Sequence, residues 1–288
     1  MKRLLLPTLF TILCLSCTAQ VDYSNDSVRV VDAEWSIDTL EGFYLKRYHF
    51  GEGALFCSAQ HLSVIEIPAK SHRRLAFAYD SALTEVSTLA KRSNAYAAIN
   101  GTFFDMDLGN PICYLRIDGN AVGENTPGRD TVNRKYYQYA SIALRDGRPV
   151  LVVPDSNRRW EDSMADSNVM TAGPMLLVDG RATPQRDDRT FVTNRHNRTA
   201  LGVKADGTTV LVVADGRFKH KAEGLSLPEL QRLMRWLGCQ EAINLDGGGS
   251  TTMYVHDRPH DGVVNYPSDN RNYDHEGQRP VSNVILVL

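Results

Sequence analysis

The most constraining feature of this sequence is the stretch Asn244-Leu245-Asp246-Gly247-Gly248-Gly249-Ser250-Thr251, which lies between two apolar runs. An apolar run bounded by turn residues is typical of a buried strand. Glycines at such a point indicate a positive φ or the close approach of another group to the backbone. Three in succession would leave main-chain N–H groups free to line an anion-sized hollow, with Asp246 at its lip. A tight hairpin turn explains the same residues, so the stretch alone leaves both interpretations open.

Two parts of the chain share one pattern, in which a helix leads into a strand and then into a polar, glycine-bearing loop. The first is predicted as a helix at 81–92 with Ser81 as its N-cap, a strand at 95–99 and the loop at Asn100-Gly101. The second is predicted as a helix at 226–237, a strand at 242–245 and the loop at Asp246-Gly247. Most other apolar segments alternate with polar residues and meet at Asp-Gly turns, as β-hairpins do. The sequence therefore predicts an α+β fold, with a largely antiparallel or mixed sheet built from hairpins and a few packed helices.

The N-terminus has the pattern of an export signal. Lys2-Arg3 precede an apolar run that is too short to span a bilayer and that ends at Leu15-Ser16-Cys17. A small residue directly before a cysteine resembles a bacterial lipoprotein signal, in which Cys17 would carry the lipid; cleavage after Ala19 is the alternative. We therefore expect an exported protein that an N-terminal lipid anchor holds to the membrane of the bacterial cell envelope. The expected segments are a signal peptide at 1–17, a tether at 18–27 and one domain at 28–288, whose first strand is predicted at 28–31.

Length and charge limit the class of protein. A chain of 288 residues can bury a large core, and its 42% hydrophobic and 23% charged residues are ordinary for a globular protein. The formal net charge of −2 lacks the basic excess of a nucleic-acid-binding protein, and the basic clusters that we identify are short pairs such as Arg73-Arg74. We therefore expect no nucleic-acid partner.

Four polar clusters follow predicted strand ends, where loops on a rigid scaffold commonly carry catalytic groups. They begin at Asn100, Arg195, Asp215 and Asn244. Arginine can bind phosphate oxygens in a bidentate manner, and two carboxylates can protonate a leaving oxygen and activate water or attack an anomeric carbon. The mixture of groups suits a phosphorylated or otherwise anionic substrate. Each residue also has a purely structural interpretation, as a turn, a surface ion pair or a solvated side chain.

The sequence lacks the motifs of several other catalytic mechanisms. The glycine run has neither the lysine nor the spacing of a P-loop, and the chain contains no G-x-S-x-G elbow and no H-E-x-x-H motif. The sequence requires no cofactor. Asp105, Asp107 and Asp246, with loop carbonyls, could hold Ca²⁺ or Mg²⁺, although their spacing is not that of an EF-hand.

Five motifs follow one another along the chain: Asn100-Gly101-Thr102-Phe103-Phe104, Ala172-Gly173-Pro174-Met175-Leu176, Arg198-Thr199-Ala200-Leu201-Gly202, Asp215-Gly216-Arg217 and Asn244-Leu245-Asp246-Gly247-Gly248-Gly249-Ser250-Thr251. In this order they resemble the phosphodiester glycosidase family over residues 90–288. One departure is Thr102, where the family often has a second glycine. The resemblance implies hydrolysis of a sugar-1-phosphodiester, such as an N-acetylglucosamine-1-phosphodiester, at the glycosidic C–O bond. For an exported bacterial protein, the expected substrate is a phosphorylated glycan or a cell-envelope sugar phosphodiester.

The residues and the resemblance together predict a set of site residues. Asp246 is the candidate catalytic carboxylate, with Asp215 or Asp105 as its partner. Arg198 and Arg217 are expected to bind phosphate. The other expected substrate-binding residues are Asn100, Gly101, Thr102, Thr199, Asn244, Gly247, Gly248, Gly249 and Ser250.

Two alternative functions stay open at this point. The chain could be a sugar-phosphate or glycan-binding protein that does not turn over its ligand. It could also be a metal-dependent phosphodiesterase that cleaves the P–O bond instead of the C–O bond.

Overall fold

Three antiparallel sheets form most of the fold in our computed structural model, which describes residues 24–126, 134–153, 159–185 and 190–288. The helices are α1 (Ser24–Val31), α2 (Val86–Arg92), α3 (Thr190–Thr193) and α4 (Leu227–Trp236). The strands are β1 (Ser36–Leu40), β2 (Phe43–Leu55), β3 (Ser58–Ile67), β4 (Leu75–Thr84), β5 (Ala97–Asn100), β6 (Leu115–Ile117), β7 (Asn120–Gly123), β8 (Ala140–Arg145), β9 (Arg148–Val152), β10 (Val169–Ala172), β11 (Met175–Val178), β12 (Arg181–Ala182), β13 (Arg198–Lys204), β14 (Thr209–Ala214), β15 (Cys239–Asn244), β16 (Met253–Val255) and β17 (Val281–Val287).

The strand order confirms the predicted α+β class. The first sheet has the order β1-β2-β3-β14-β13-β15-β11-β12, the second β7-β6-β10-β8-β9 and the third β16-β5-β17-β4. All pairs in these sheets are antiparallel. The predicted hairpin at Asp206-Gly207 joins β13 to β14, with Leu201 opposite Leu211. Its neighbours β3 and β15 place this hairpin in the middle of the first sheet.

The main core lies between the sheets, and strand alternation builds it. Along β17, Ile285 and Val287 belong to the core shared by all three sheets, while Val284 and Leu286 pack on the other face with α2. Successive side chains of a strand point to opposite faces, so one strand contributes to two apolar layers. This explains why β17 is apolar at nearly every position rather than at every second one.

Helix α4 begins as its sequence predicts. The Ser226 hydroxyl accepts the N–H of Glu229 at 3.3 Å, and the Glu229 carboxylate accepts the N–H of Ser226 at 2.8 Å. This capping box satisfies two of the N–H groups that a helix start leaves unpaired. Leu230, Leu233 and Met234 are fully buried in a second core on the outer face of the first sheet. Each such side chain contributes roughly 1.5–3 kcal/mol, so packing fixes the direction in which α4 delivers the chain to β15.

Two predicted elements differ from the structure. Residues 24–31, predicted as the end of a tether and the first strand, form α1. Asp26 is buried there and accepts the N–H of Phe56 at 2.9 Å, so the turn between β2 and β3 supplies a partner that the local sequence does not reveal. The helix predicted from Ser81 begins at Val86, because residues up to Thr84 pair with β17 as part of β4.

The predicted signal peptide at 1–17 and lipidation site Cys17 lie outside the described residues, as does most of the predicted tether. Among the described residues, no helix combines the length and apolar character needed to cross a membrane.

Candidate active site

Asp246 lies just beyond β15, where the loops of the two predicted helix–strand–loop units meet. Its main-chain N–H donates to the carbonyl of Gly101 at 3.1 Å, and its own carbonyl accepts from Nδ2 of Asn100 at 2.7 Å. Asn100 ends β5, which belongs to the third sheet, whereas β15 belongs to the first. Asn100 and Gly101, at the end of a strand of the third sheet, therefore fix the backbone position of Asp246, which follows a strand of the first sheet.

The side chain of Asp246 is half-buried, and its surroundings raise its pKa above that of an exposed aspartate. Burial raises its pKa to about 6, while the nearby Ser250 hydroxyl, the Gly247 N–H and Arg279 offset part of that rise. The Gly247 N–H donates to Oδ1 at 2.8 Å. A carboxyl group with a pKa near neutrality gains and loses a proton readily at physiological pH, which is typical of catalytic acids and bases.

The glycine run does not present a row of free N–H donors. The N–H of Gly247 donates to Asp246, and that of Gly248 donates to the carbonyl of Asn197 at 2.9 Å. A Cβ at position 247 would lie 2.6 Å from the same carbonyl oxygen, so no larger residue fits there. The sequence analysis predicted that all three glycine N–H groups could bind an anion. That prediction is wrong for Gly247 and Gly248, whose N–H groups already have acceptors within the protein.

Positions 248 and 249 instead let two arginines reach the backbone. A Cβ at 248, where φ is +62°, would lie 2.8 Å from Nη2 of Arg217. A Cβ at 249 would overlap Nη2 of Arg279. Arg279 also donates through Nε to Oδ1 of Asp269 at 2.9 Å. Two guanidinium groups thus lie over the loop that follows Asp246.

Arg217, which the sequence predicts to bind phosphate, is available for an anion. Its φ of +69° lies in the left-handed region, which side chains of this kind rarely adopt and which is often found at functional sites. Partial burial and the neighbouring Arg279 lower its pKa. Within the part of the chain that the structure describes, Arg217 makes no hydrogen bond or ion pair, so its donors are free.

Arg198, the other predicted phosphate ligand, has a structural part instead. Its side chain is buried, and burial lowers its pKa to about 10. Nε donates to the carbonyl of Leu225 at 2.8 Å, and Nη2 donates to those of Phe191 and Asn194 at 2.8 and 3.1 Å. These bonds join α3 to the segment before α4. The donors of Arg198 are therefore bound within the fold, whereas the guanidinium groups of Arg217 and Arg279 lie against Gly248 and Gly249.

Asn100 and Thr199 are buried scaffold residues rather than exposed ligands. Oγ1 of Thr199 donates to Oδ1 of Asn100 at 2.7 Å, and the N–H of Thr252 reaches the same oxygen at 3.2 Å. Because Nδ2 of Asn100 is bound to the Asp246 carbonyl, both ends of its amide are occupied. Asn100 and Thr199, which the sequence predicts to bind substrate, instead hold the Asp246 loop to the end of β5.

Gly101 and Thr102 are likewise enclosed. A Cβ on Gly101 would overlap Oδ1 of Asn283. That oxygen accepts the N–H of Thr102 at 2.7 Å, and Oγ1 of Thr102 donates to the carbonyl of Thr171 at 2.6 Å. The threonine that departs from the family pattern therefore forms a bond inside the fold and does not alter the surface of the site.

Three buried polar atoms without partners lie in the stretch around Asp246. They are Oδ1 of Asn244, Oγ of Ser250 and Oγ1 of Thr252, and none has a hydrogen bond among the described residues. Ser250 lies near enough to Asp246 to lower its pKa, without the geometry of a hydrogen bond. Unpaired buried polar atoms are costly, so their concentration here marks a strained or functional region. Nδ2 of Asn244 is satisfied, since it donates to the carbonyl of Gly173 at 2.9 Å.

Asp215, a predicted catalytic partner of Asp246, is fully buried and forms a pair with a histidine. Its Oδ2 lies 2.8 Å from Nδ1 of His61 on β3. Its Oδ1 accepts from Nδ2 of Asn265 at 2.8 Å and from the N–H of Tyr266 at 3.1 Å. Both carboxylate oxygens are therefore occupied, and Asp215 acts as a positioning residue. Asn265 also donates to the carbonyl of Thr251 at 3.2 Å, which ties this network to the end of the glycine run.

Asp105, the other predicted partner, closes its own turn. Its Oδ1 accepts the N–H groups of Asp107 and Leu108, both at 2.9 Å. Among the described residues, no hydrogen bond links Asp105 to Asp246. The described residues also contain no group of three or more His, Cys, Asp or Glu side chains with the geometry of a metal site, so the suggested Ca²⁺ or Mg²⁺ ligands are not brought together.

An aromatic wall lies on the other side of the site. Phe103 stacks on Tyr137 with ring centroids 4.3 Å apart, and Phe191 contacts both rings edge-on. Cys113 lies close to Phe103 and Asp246; burial raises the pKa of its thiol to about 12. This cysteine is therefore a small buried residue that lies between the aromatic wall and Asp246.

Sequence reasoning missed His61, Arg279, Asn265 and Asn283. Asn283 has a detectable signal, since it lies beside Ser282 in a strand whose five other residues are apolar. His61 has none, because β3 also contains Ser58, Gln60, Ser63 and Glu66. Arg279 and Asn265 lie in irregular segments whose spacing gives no such signal.

A family model for phosphodiester glycosidases matches residues 93–288, which is more than half of the chain. The chain belongs to the phosphodiester glycosidase family. The match includes Asp215, Arg217, Asp246 and Arg279, whereas His61 precedes it. Every described side chain that surrounds the glycine run thus lies within the part of the chain that defines the family.

Individual relatives agree with this assignment. The chain is 36% identical over 98 residues to the mouse N-acetylglucosamine-1-phosphodiester alpha-N-acetylglucosaminidase, which covers 34% of this chain and 18% of the mouse protein. It is 33% identical over 89 residues to an uncharacterised prophage-derived protein of Bacillus subtilis, covering 31% of this chain and 14% of that protein. The chain therefore spans less than a fifth of the length of these relatives.

A solved structure with the same fold is the catalytic domain of the zebrafish N-acetylglucosamine-1-phosphodiester alpha-N-acetylglucosaminidase, auto-inhibited by its pro-peptide. It superimposes with a TM-score of 0.64 at 18% identity, covering 90% of this chain and 92% of the zebrafish chain. At that identity the match shows the fold alone.

Proposed function

We propose that this protein hydrolyses the glycosidic C–O bond of a sugar-1-phosphodiester, such as an N-acetylglucosamine-1-phosphodiester, and releases the free sugar and a phosphomonoester. The supporting observation is a carboxyl group of raised pKa, Asp246, beside two guanidinium groups that the glycine run admits. Membership of the family supports the same reaction class.

Asp246 acts as the base in this reaction. Its ionised carboxylate takes a proton from water, the water oxygen bonds to the anomeric carbon, and the bond from that carbon to the phosphate oxygen breaks. The electron pair of that bond stays with the phosphate. A pKa of about 6 keeps the carboxylate mostly ionised at neutral pH while leaving it basic enough to accept the proton.

Arg217 and Arg279 assist departure of the phosphate. The phosphodiester carries one negative charge, and the phosphomonoester carries up to two after the C–O bond breaks. Charge therefore develops on the phosphate in the transition state, where two fixed guanidinium groups stabilise it more than they stabilise the substrate. Because the phosphate is a good leaving group, the reaction needs no strong acid to protonate its oxygen.

The decisive experiment follows the bond that breaks. Hydrolysis of an N-acetylglucosamine-1-phosphodiester in ¹⁸O-labelled water should place the label in the sugar, whereas label in the phosphate would indicate a phosphodiesterase. Asp246→Asn should lower kcat by at least about a hundredfold while leaving the fold intact. A matched control is Asp206→Asn in the β13–β14 turn, where either side chain can accept the N–H of Thr208. Ligand binding without any turnover by the unmodified protein would instead indicate a binding protein.

We also propose that the protein is exported and anchored at the bacterial cell envelope through Cys17, on the strength of the N-terminal sequence pattern. Its substrate would then be a phosphorylated glycan or an envelope phosphodiester. Metabolic labelling with a fatty-acid analogue should mark the full-length protein but not Cys17→Ser. Unchanged labelling of that variant would contradict the assignment.

A further inference from the structure

A basic surface borders the site on the side of the two arginines. We call it the basic rim; it comprises Arg217, Arg271 and Arg279. It encloses a cavity of about 440 Å³ lined by Arg217, Phe218, Ser268, Asp269, Arg271 and Arg279.

The positive charge of the basic rim is largely uncompensated. Asp269 is the one carboxylate among the six lining residues, and it pairs with Arg279. Within the described ranges, Arg217 and Arg271 have no carboxylate at ion-pair distance. Like charges held close together without a counter-charge repel one another, and a bound anion relieves that repulsion.

The two segments that carry the rim are held in place before any ligand arrives. Phe218 and Ala222 form an isolated β-bridge, and Phe218 contacts Tyr273 edge-on with ring centroids 5.1 Å apart. On the other segment the N–H of Arg271 donates to the carbonyl of buried Ser268 at 3.1 Å. A preformed arrangement loses less conformational entropy when it binds an anion.

The cavity is larger than one phosphate group requires. Small-molecule sites typically have roughly 300–1,000 Å³, and 440 Å³ falls in that range. In the proposed reaction Arg217 and Arg279 are taken by the phosphate whose bond breaks. Arg271 lines the same cavity and then has no partner in the substrate.

We propose that the basic rim is the subsite for the alcohol portion of the substrate, and that this portion carries a second anionic group, a phosphate or a carboxylate. The inference rests on the proposed function, since that function defines which side of the phosphate faces Asp246. It makes the preferred substrate a sugar-1-phosphodiester within a polyanionic glycan or glycerol phosphate chain. Arg271 is the residue that distinguishes such a substrate from one with a neutral alcohol.

The test compares two matched substrates, N-acetylglucosamine-1-phospho-glycerol and its counterpart with a second phosphate on the glycerol. The unmodified protein should show a kcat/KM about tenfold higher for the doubly phosphorylated substrate at low salt, because each exposed ion pair contributes modestly. The preference should shrink at about 0.5 M salt, where screening is strong. Arg271→Gln should remove most of the preference. The control Arg181→Gln, on the exposed edge strand β12, should retain it.

Equal kcat/KM for both substrates, or a preference that Arg271→Gln leaves unchanged, would overturn the inference. If the unmodified protein turns over neither substrate, the proposed function fails, and calorimetry then decides the inference alone. In that case the Asp246→Asn chain should bind the doubly phosphorylated compound more tightly than the singly phosphorylated one, and Arg271→Gln should abolish the difference. Equal binding of the two compounds would overturn it.

Discussion

The guanidinium group of Arg217 lies directly over Gly248, with Nη2 only 2.8 Å from the position that a Cβ at residue 248 would take. Arg279 stands in the same relation to Gly249. The glycines are therefore explained by the side chains they admit rather than by the N–H groups they expose. This distinction leads to different expectations for substitutions in the run.

We expect Gly249→Ala to weaken substrate binding without unfolding the protein. The added methyl group would meet the ends of two side chains, the guanidinium group of Arg279 and Oδ1 of Asp269, which are paired with each other. We therefore expect this ion pair to move and the backbone to stay in place. KM should rise about tenfold, the effect expected for loss of one well-placed charged hydrogen bond. Steady-state kinetics and thermal unfolding measure the two quantities. Gly51→Ala is the control, because a Cβ there has no neighbour within 4 Å; a parallel loss of stability in Gly249→Ala would contradict this view.

Replacing Arg198 by alanine should mainly lower stability, whereas replacing Arg217 by alanine should mainly lower activity. Arg198→Ala removes three hydrogen bonds to main-chain carbonyls in the interior and should lower the free energy of unfolding by about 3 kcal/mol or more. Arg217→Ala breaks no bond within the described residues, so stability should stay within about 0.5 kcal/mol while kcat/KM falls strongly. Urea unfolding and kinetics on both variants test this. A stable but inactive Arg198→Ala would restore the role that the sequence suggested for it.

The activity should rise with pH through the pKa of Asp246. Because the base must be ionised, kcat/KM is expected to fall as the pH drops below about 6, the value to which burial raises this pKa. The pH–rate profile of the unmodified protein measures the acid limb directly. An acid limb near 4, the ordinary range of an aspartate, would contradict a base whose pKa is raised by burial.

The same shift predicts a stability difference with a definite sign. Asp246 holds its proton more tightly in the folded chain, with a pKa of about 6, than in the unfolded chain, where it is near 3.9. Ionisation between these two values therefore lowers the free energy of unfolding as pH rises. Asp246→Asn has no such loss and should be more stable than the unmodified protein by about 2–3 kcal/mol at pH 8. Unfolding curves at pH 8 and pH 4 should show the gap narrowing toward the lower pH.

Asp215 and His61 should behave as one structural unit. Asp215→Ala leaves the donors of His61, Asn265 and Tyr266 unpaired and should cost about 3 kcal/mol of stability or more. Asp215→Asn keeps the shape but can present an N–H to the ring, which favours the His61 tautomer protonated at Nε2. Nitrogen chemical shifts of the imidazole report that change. The same tautomer in both proteins would show that Asp215 does not orient His61.

Much of the fold was predictable because its signals are local. The capping box at Ser226, the Asp-Gly turns and the alternation of apolar residues each act within a few positions, and the structure confirms the elements they predict. The two elements that were predicted wrongly are both set by contacts with residues far away in the sequence. The segment at 24–31 becomes a helix because Asp26 meets Phe56, and β4 extends past Ser81 because β17 pairs with it.

The sequence by itself determined that a carboxylate and three glycines follow a buried strand, and that arginines and amides at other strand ends accompany them. Tertiary structure decided which of these groups meet. Arg198 and Arg217 both lie in polar clusters at strand ends. The guanidinium group of Arg198 donates hydrogen bonds to main-chain carbonyls, whereas that of Arg217 lies over Gly248. Asp215 finds His61 across 154 positions of the chain. Side-chain direction and contacts between distant strands depend on the packed sheets as a whole, and no local pattern encodes them.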